Sequence, residues 1–143
     1  MVFEVKWYSL SGKVAFITGA GRGLGAATAS ALTRRGARVV IADIDLCTAQ
    51  SVAETLPRGH CLALQCDVTD LASVQKSVRL TLERFGRIDV VIANAGVLGR
   101  GGAPFAPYTP IRWLRLAVNV DGVVNTVSAT MESVIGSRGR SSW

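Results

Sequence analysis

The chain has 143 residues, 49% of them hydrophobic, with 16 Lys and Arg against 10 Asp and Glu and a net charge of +6. That length fits one domain, and that apolar share excludes a disordered chain. No apolar run is long enough to span a membrane, and Glu4 sits where a secretory leader needs an apolar core, so a cytoplasmic location is expected.

Strand and helix patterns alternate along the sequence. The run Val14-Ala15-Phe16-Ile17 predicts a strand over 14–18. A helix with a small-residue face (Ala26, Ala27, Ala29, Ala31) is predicted over 24–35, with Gly36 as its C′ residue. Residues 38–42 form a continuous apolar run ending at Asp43, the mark of a parallel strand buried on both faces. A helix over 46–56 is capped by Asp45 and stopped by Pro57, and a strand follows over 61–66. Thr69 or Asp70 caps a third helix, whose Leu71, Val74, Val78, Leu82 and Phe85 recur at helical spacing up to Gly86.

A fourth strand is predicted over 88–93. A long loop, 94–109, then carries several glycines and prolines, a length that favours a functional loop over a plain connector. Thr109-Pro110 reads as cap and first residue of a last helix reaching about Ile135, with Val120, Val123, Val124, Val127, Met131 and Val134 on one side. The domain is placed at 10–136, with tails at 1–9 and 137–143. The expected architecture is α/β: a Rossmann-like parallel sheet of order 3-2-1-4 with helices on both faces, cut off after the helix that follows strand four.

Several function classes fall away. The basic residues are scattered over every element with no stripe and no nucleic-acid motif, so dispersed surface charge is preferred to nucleic-acid binding. Cys47, Cys61 and Cys66 are too sparse for a disulfide framework and read as small apolar residues in a reducing compartment. His60 is the one histidine and lies in a loop, so no metal site is expected. No Gly-Lys-Ser/Thr follows the glycines, which excludes a Walker loop.

What remains is Thr18-Gly19-Ala20-Gly21-Arg22-Gly23-Leu24-Gly25, placed between a strand and a helix. Gly19, Gly23 and Gly25 follow the strand directly; Gly21, Gly23 and Ala26 fit a second parse that begins two residues later. In either parse, glycines let the backbone approach a pyrophosphate, and the helix that follows aims free N–H groups and its positive dipole end at that anion. Asp43 ends strand two at about the separation, roughly 20 residues, at which an acid accepts ribose hydroxyls. That carboxylate repels a 2′-phosphate and favours NAD over NADP, although Arg22 pulls weakly the other way.

The glycine turn, Asp43, Cys66-Asp67-Val68, Ala93-Asn94-Ala95-Gly96 and Val118-Asn119-Val120 together resemble the short-chain dehydrogenase/reductase family, in order and spacing, from about Leu10 to Arg140. The resemblance implies an NAD-dependent oxidoreductase. Gly19, Gly21, Arg22, Gly23, Leu24, Gly25 and Asp43 would contact the dinucleotide. Asp67 and Val68 would border the adenine, and Asn94, Ala95 and Gly96 would line the cleft. Asn119 would belong to the catalytic group, holding a water in a proton relay; a residue steadying a helix kink near Gly122 is the other reading of it. The last helix would offer a contact for a second copy or a relative.

The same resemblance implies a serine on a fifth strand and a Tyr-x-x-x-Lys beyond it, neither of which is present. Tyr108 precedes Asn119 and is followed by Arg112 rather than a lysine, so it is rejected as the acid, and Ser141-Ser142 lacks an apolar lead-in. The expectation is therefore a catalytically incomplete fragment of an alcohol/ketone oxidoreductase; the alternative is a non-catalytic NAD-binding or dimerisation module.

Overall fold

The computed structural model of the protein describes residues 9–98 and 110–138. Four parallel strands, β1 (Val14–Thr18), β2 (Arg38–Asp43), β3 (Cys61–Gln65) and β4 (Val90–Ile92), form one sheet in the order β3-β2-β1-β4. Phe16 of β1 stands level with Val40 of β2 and Val91 of β4, and Val40 with Leu62 of β3. The expected strand order is the observed one.

The alternation of side chains along β1 and β2 builds two cores. Val14, Phe16, Val40 and Ala42 face one side; Ala15, Ile17, Val39 and Ile41 face the other. Phe16, Ile17 and Ile41 are wholly buried, each contributing about 1.5–3 kcal/mol over an exposed position. Helices α1 (Gly23–Arg34) and α2 (Leu46–Glu54) bring Ala29 and Ala49 to the second face. Of the small residues expected to form one face of the first helix, Ala29 is buried, Ala26 and Ala31 are partly buried and Ala27 is exposed. Helix α3 (Leu71–Phe85) covers the first face with Val74, Val78 and Phe85, and Gly86 ends it.

The last helical stretch begins as α4 (Pro110–Leu116), passes through a π-helical turn (Ala117–Asp121) and continues as α5 (Gly122–Arg138). It outruns the expected end at Ile135, so Gly136, Ser137 and Arg138 are helical rather than part of a tail. The expected Thr109 cap, most of the 94–109 loop with Tyr108, and Ser141-Ser142 lie outside the described residues.

The face of α5 that packs is not the valine stripe. Val120, Val123, Val124, Val127 and Met131 are exposed, and Val134 is partly buried. The buried residues of α5 include Thr126, Thr130 and Ser137, beside an α3 that buries Ser77 and Thr81. Hydrophobic period shows that a stripe exists, not which side the neighbouring helix takes. Helices approach closely where side chains are small, and these hydroxyls are buried without penalty because each donates to a carbonyl of its own helix. Thr126 Oγ1 bonds the Gly122 carbonyl at 2.7 Å, Thr130 Oγ1 that of Thr126 at 2.7 Å, and Thr81 Oγ1 that of Ser77 at 2.8 Å.

Strand β4 is shorter than the predicted 88–93. It has a neighbour on one side only, β1, and its other edge is open among the described residues. That edge and α5 enclose a groove of about 590 Å³ lined by Val90, Val91, Val127, Met131 and Ile135 among others.

Candidate functional site

The carboxyl ends of β1, β2 and β4 converge where a doubly wound sheet places its ligand crevice. The glycine turn leaves β1 there, and its four glycines divide into two kinds. A Cβ on Gly19 would lie 2.7 Å from Ala95 Cα, one on Gly21 2.4 Å from Thr48 Oγ1, and one on Gly25 2.4 Å from the Gly19 carbonyl oxygen. Those three are demanded by the protein's own packing. Gly23, at φ +55°, would point a Cβ into open space. The turn is thus drawn tight by its neighbours and opens outward at Gly23.

Helix α1 starts at that opening. Its N-cap, Arg22, makes no side-chain cap, and no acid lies in its first turn. The other N-termini on the sheet are capped: Asp45 accepts from the N–H groups of Cys47 and Thr48 at the start of α2, and Asp70 from Ala72 at the start of α3. The first N–H groups of a helix have no partner within it, and α1 lacks the side-chain cap that takes up some of these donors in α2 and α3. Leu24, beside them, is 81% exposed.

Asp43 stands at the end of β2, only 6% exposed. Its Oδ2 accepts the Gly21 N–H at 2.9 Å and its Oδ1 the Asp45 N–H at 3.1 Å. A carboxylate has about four acceptor sites, so capacity remains for a further donor. Because Asp45 serves as the α2 cap, as the sequence predicts, Asp43 is not needed for that task.

Beyond β3, Cys66 N–H donates to the Asp43 carbonyl at 2.8 Å, which brings Asp67 and Val68 beside Asp43. Asp67 closes a turn by accepting from the N–H and hydroxyl of Thr69 at 2.9 and 2.7 Å. Burial pushes the Cys66 thiol up from its ordinary range; a bond to Ser77 opposes this and the nearby Asp67, Asp43 and Asp70 add to it.

Asn94 locks the end of β4 to the end of β1. Its Nδ2 donates to the carbonyls of Thr18 and Gly19 at 3.1 and 3.0 Å. Thr18 Oγ1 in turn accepts the N–H groups of Asn94 and Ala95 at 3.1 and 3.2 Å. Sequence reasoning gave Thr18 no role. The signal was a hydroxyl ending an otherwise apolar buried strand, where it needs a partner.

Asn119 lies in the π-helical turn and hydrogen-bonds Val97 twice: its Oδ1 accepts the Val97 N–H at 2.8 Å and its Nδ2 donates to the Val97 carbonyl at 3.0 Å. Gly96 passes beside it, with room for a Cβ 3.5 Å from Oδ1. The amide therefore acts as a stand-in strand partner for the segment after β4. Several residues named from the sequence are linked pairwise at the carboxyl edge of the sheet: Gly21 to Asp43, the segment of Asp67 and Val68 to Asp43 through Cys66, Asn94 to Gly19, and Asn119 to Val97 just beyond Gly96.

A parallel sheet of order 3-2-1-4 with a glycine turn entering an uncapped helix defines a Rossmann-like α/β protein. Residues 13–141 match the short chain dehydrogenase family, and the chain belongs to it. It is 42% identical over 132 residues to a sorbitol dehydrogenase of Cereibacter sphaeroides, covering 91% of this chain and 50% of that protein. It is 42% identical over 113 residues to a meso-2,3-butanediol dehydrogenase of Serratia marcescens, covering 78% and 44%. A 3-ketoacyl-(acyl-carrier-protein) reductase from Brucella melitensis, solved in complex with NADH, superposes with a TM-score of 0.86 at 33% identity over 92% of this chain and 55% of that one. The chain spans about half the length of the relatives it matches. No described helix is long and apolar enough to cross a membrane, and no described cluster of His, Cys, Asp and Glu is arranged to hold a metal ion.

Proposed function

We propose that residues 10–136 are the NAD-binding part of a short-chain oxidoreductase acting on alcohols or ketones. The observation that carries this reading is the pairing of Asp43 with the glycine turn beside the uncapped start of α1. A helix end left without a side-chain cap and a turn open at Gly23 fit a diphosphate; a buried, hydrogen-bonded carboxylate next to them fits a ribose diol. Arg22, at the same turn, is free to reach phosphate oxygens from solvent. Asp67 and Val68 would border the adenine, and Leu24 with Asn94, Ala95 and Gly96 would line the nicotinamide side. NAD is preferred to NADP because a 2′-phosphate would meet Asp43.

When bound, the nicotinamide supplies hydride transfer with a secondary alcohol or ketone, and the protein's work is to place and orient. Asn94 and Asn119 hold the segments that wall the crevice. Asn119 is the one residue assigned here to a catalytic group, and its relay role depends on a lysine that this sequence does not place. The chain by itself is therefore expected to bind cofactor without turnover. Its unpaired thiols suit a reducing, cytoplasmic setting.

A thermal-shift titration with NAD and NADP tests the reading, since stabilisation grows as RT ln(1 + [L]/Kd). Saturable stabilisation stronger with NAD supports it, and no shift with either nucleotide overturns it. The exposed valines of α5 favour a second reading, a non-catalytic module that pairs through that helix with a second copy or a longer relative. Dimer formation together with NADH binding and no alcohol-dependent NADH production would distinguish it.

A further inference from the structure

Asn125 was singled out by no motif, yet it is tied to one wall of the crevice. It lies on α5, one turn beyond Gly122, so the two share a helix face. Its Nδ2 donates to the Val68 carbonyl at 2.9 Å. Gly122 receives the Val68 side chain, whose Cγ2 lies 2.6 Å from where a Cβ on Gly122 would stand. Helix α5 thus offers Val68 a recess and a hydrogen-bond donor together. Thr126, Thr130 and Ser137, the buried hydroxyl residues of the same helix, instead spend their donors on their own helix.

The segment that Asn125 grips has left the sheet. Strand β3 ends at Gln65, and from Cys66 onward the sheet ladder gives way to isolated bonds: Cys66 N–H to the Asp43 carbonyl at 2.8 Å, Asp67 N–H to Ser73 Oγ at 3.0 Å, the Thr69 N–H and hydroxyl to Asp67 Oδ1 at 2.9 and 2.7 Å, and Asp70 N–H to the Asp67 carbonyl at 3.2 Å. Asn125 holds the Val68 carbonyl of this run, at a residue only 7% exposed. Removing the donor takes a partner from a part-buried carbonyl, which must find another from water or by a shift of the segment.

We propose that Asn125 is a positioning residue for the adenosine end of the dinucleotide, acting through Val68. The proposal rests on the dinucleotide reading above. Asn125 does not touch the cofactor; it fixes the height and tilt of the Asp67–Val68 wall relative to Asp43. Its effect is confined to the adenosine half, because the other half of the crevice is held separately by Asn94 and Asn119.

The test measures binding of ADP-ribose and of reduced nicotinamide mononucleotide to the full chain by calorimetry. In Asn125→Leu and in Asn125→Asp, which has the same shape but no N–H, ADP-ribose affinity is expected to fall about fivefold to twentyfold, the loss of one part-buried hydrogen bond. Mononucleotide affinity stays within about twofold. Thr130→Ala serves as the control: it disturbs the packing of α5 and is expected to lower thermal stability while leaving ADP-ribose affinity unchanged. If Asn125→Leu does not fold, Asn125→Asp carries the comparison. Undiminished ADP-ribose binding in a folded Asn125 variant, or equal losses for both probes, overturns the positioning role while leaving the dinucleotide reading in place. Absence of saturable ADP-ribose binding by the unaltered chain overturns the dinucleotide reading itself, and the positioning role with it.

Discussion

The Gly21 N–H points at Asp43 Oδ2 from 2.9 Å, and a methyl group on Gly21 would stand 2.9 Å from that same oxygen and 2.4 Å from Thr48 Oγ1. The acid that fits a ribose is thus also the strut that fixes the glycine turn. The two tasks need the same thing, an ionised carboxylate held still at the end of β2. In Asp43→Ala, the Gly21 and Asp45 N–H groups lose their acceptor, which costs about 1–3 kcal/mol of stability. NAD affinity should fall about 10–100-fold, the worth of charge-assisted hydrogen bonds to the sugar. The preference for NAD over NADP should narrow or reverse, since the repelling charge is gone. Thermal-shift titration with both nucleotides checks this, and unchanged affinity for each would remove Asp43 from the site.

The two kinds of glycine in the turn should respond differently to a methyl group. At Gly25 an added Cβ collides with the Gly19 carbonyl oxygen at 2.4 Å and Ala20 Cα at 2.8 Å, both backbone atoms that cannot swing aside. Gly25→Ala is expected to cost about 3 kcal/mol or more and to be visible in the melting temperature without any ligand. Gly23→Ala meets nothing, so its cost is the left-handed backbone alone, about 1–2 kcal/mol. Its larger effect should be on nucleotide binding, because the new methyl occupies the open side of the turn. Equal loss of binding per unit of lost stability in the two variants would count against a diphosphate at Gly23.

Most of the fold could be read from the sequence because its signals are local. Continuous apolar runs marked β1 and β2, and Asp45 and Gly86 marked helix ends by their own chemistry, while Thr69 and Asp70 were both open as the α3 cap until the structure showed Asp70. The glycine turn and Asp43 were legible as a pair because their separation is set by one βαβ unit. What stayed hidden depends on contacts between distant segments. Thr18 gains its partners only when β4 arrives beside β1, and Asn125 only when α5 lies against the segment after β3. The packing face of α5 was not legible for the same reason: its valines are periodic, but the residues buried beside α3 include the smaller Thr126 and Thr130.

Asp89 anchors the opposite end of the sheet from the crevice. Its carboxylate accepts the Val14 N–H at 2.9 Å and pairs with Arg87, with Lys13 at 3.6 Å. Burial works against its ionisation, but the Arg87 and Val14 hydrogen bonds and the two cations outweigh this and hold its carboxyl below the usual carboxylate range. A depressed folded-state pKa means the unfolded chain takes up the proton first as pH falls. The stabilisation is therefore complete above the unfolded value, near 3.8, and is lost as pH drops through the lower folded value. Asp89→Asn should be less stable than the parent chain near neutral pH, and the two unfolding curves should converge as pH falls through the lowered folded-state value. Denaturant melts across that range check it, and a gap that stays constant with pH would assign the anchor to shape rather than charge.

The edge of β4 and Val127, Met131, Val134 and Ile135 of α5 line the same groove. Val127 is 41% exposed, Met131 50% and Ile135 65%, more contiguous apolar surface than a helix turned toward water usually carries. The edge of β4, unpaired among the described residues, adds backbone donors and acceptors to that surface. The chain on its own should therefore self-associate as its concentration rises. Val127→Lys combined with Met131→Lys places two charges on the groove wall without touching the buried Thr126 and Thr130 contacts. These changes should keep the melting temperature within the small range expected of surface substitutions, about 0.5 kcal/mol in stability, while suppressing light scattering. Scattering that persists in the charged variant would locate the sticky surface elsewhere on the chain.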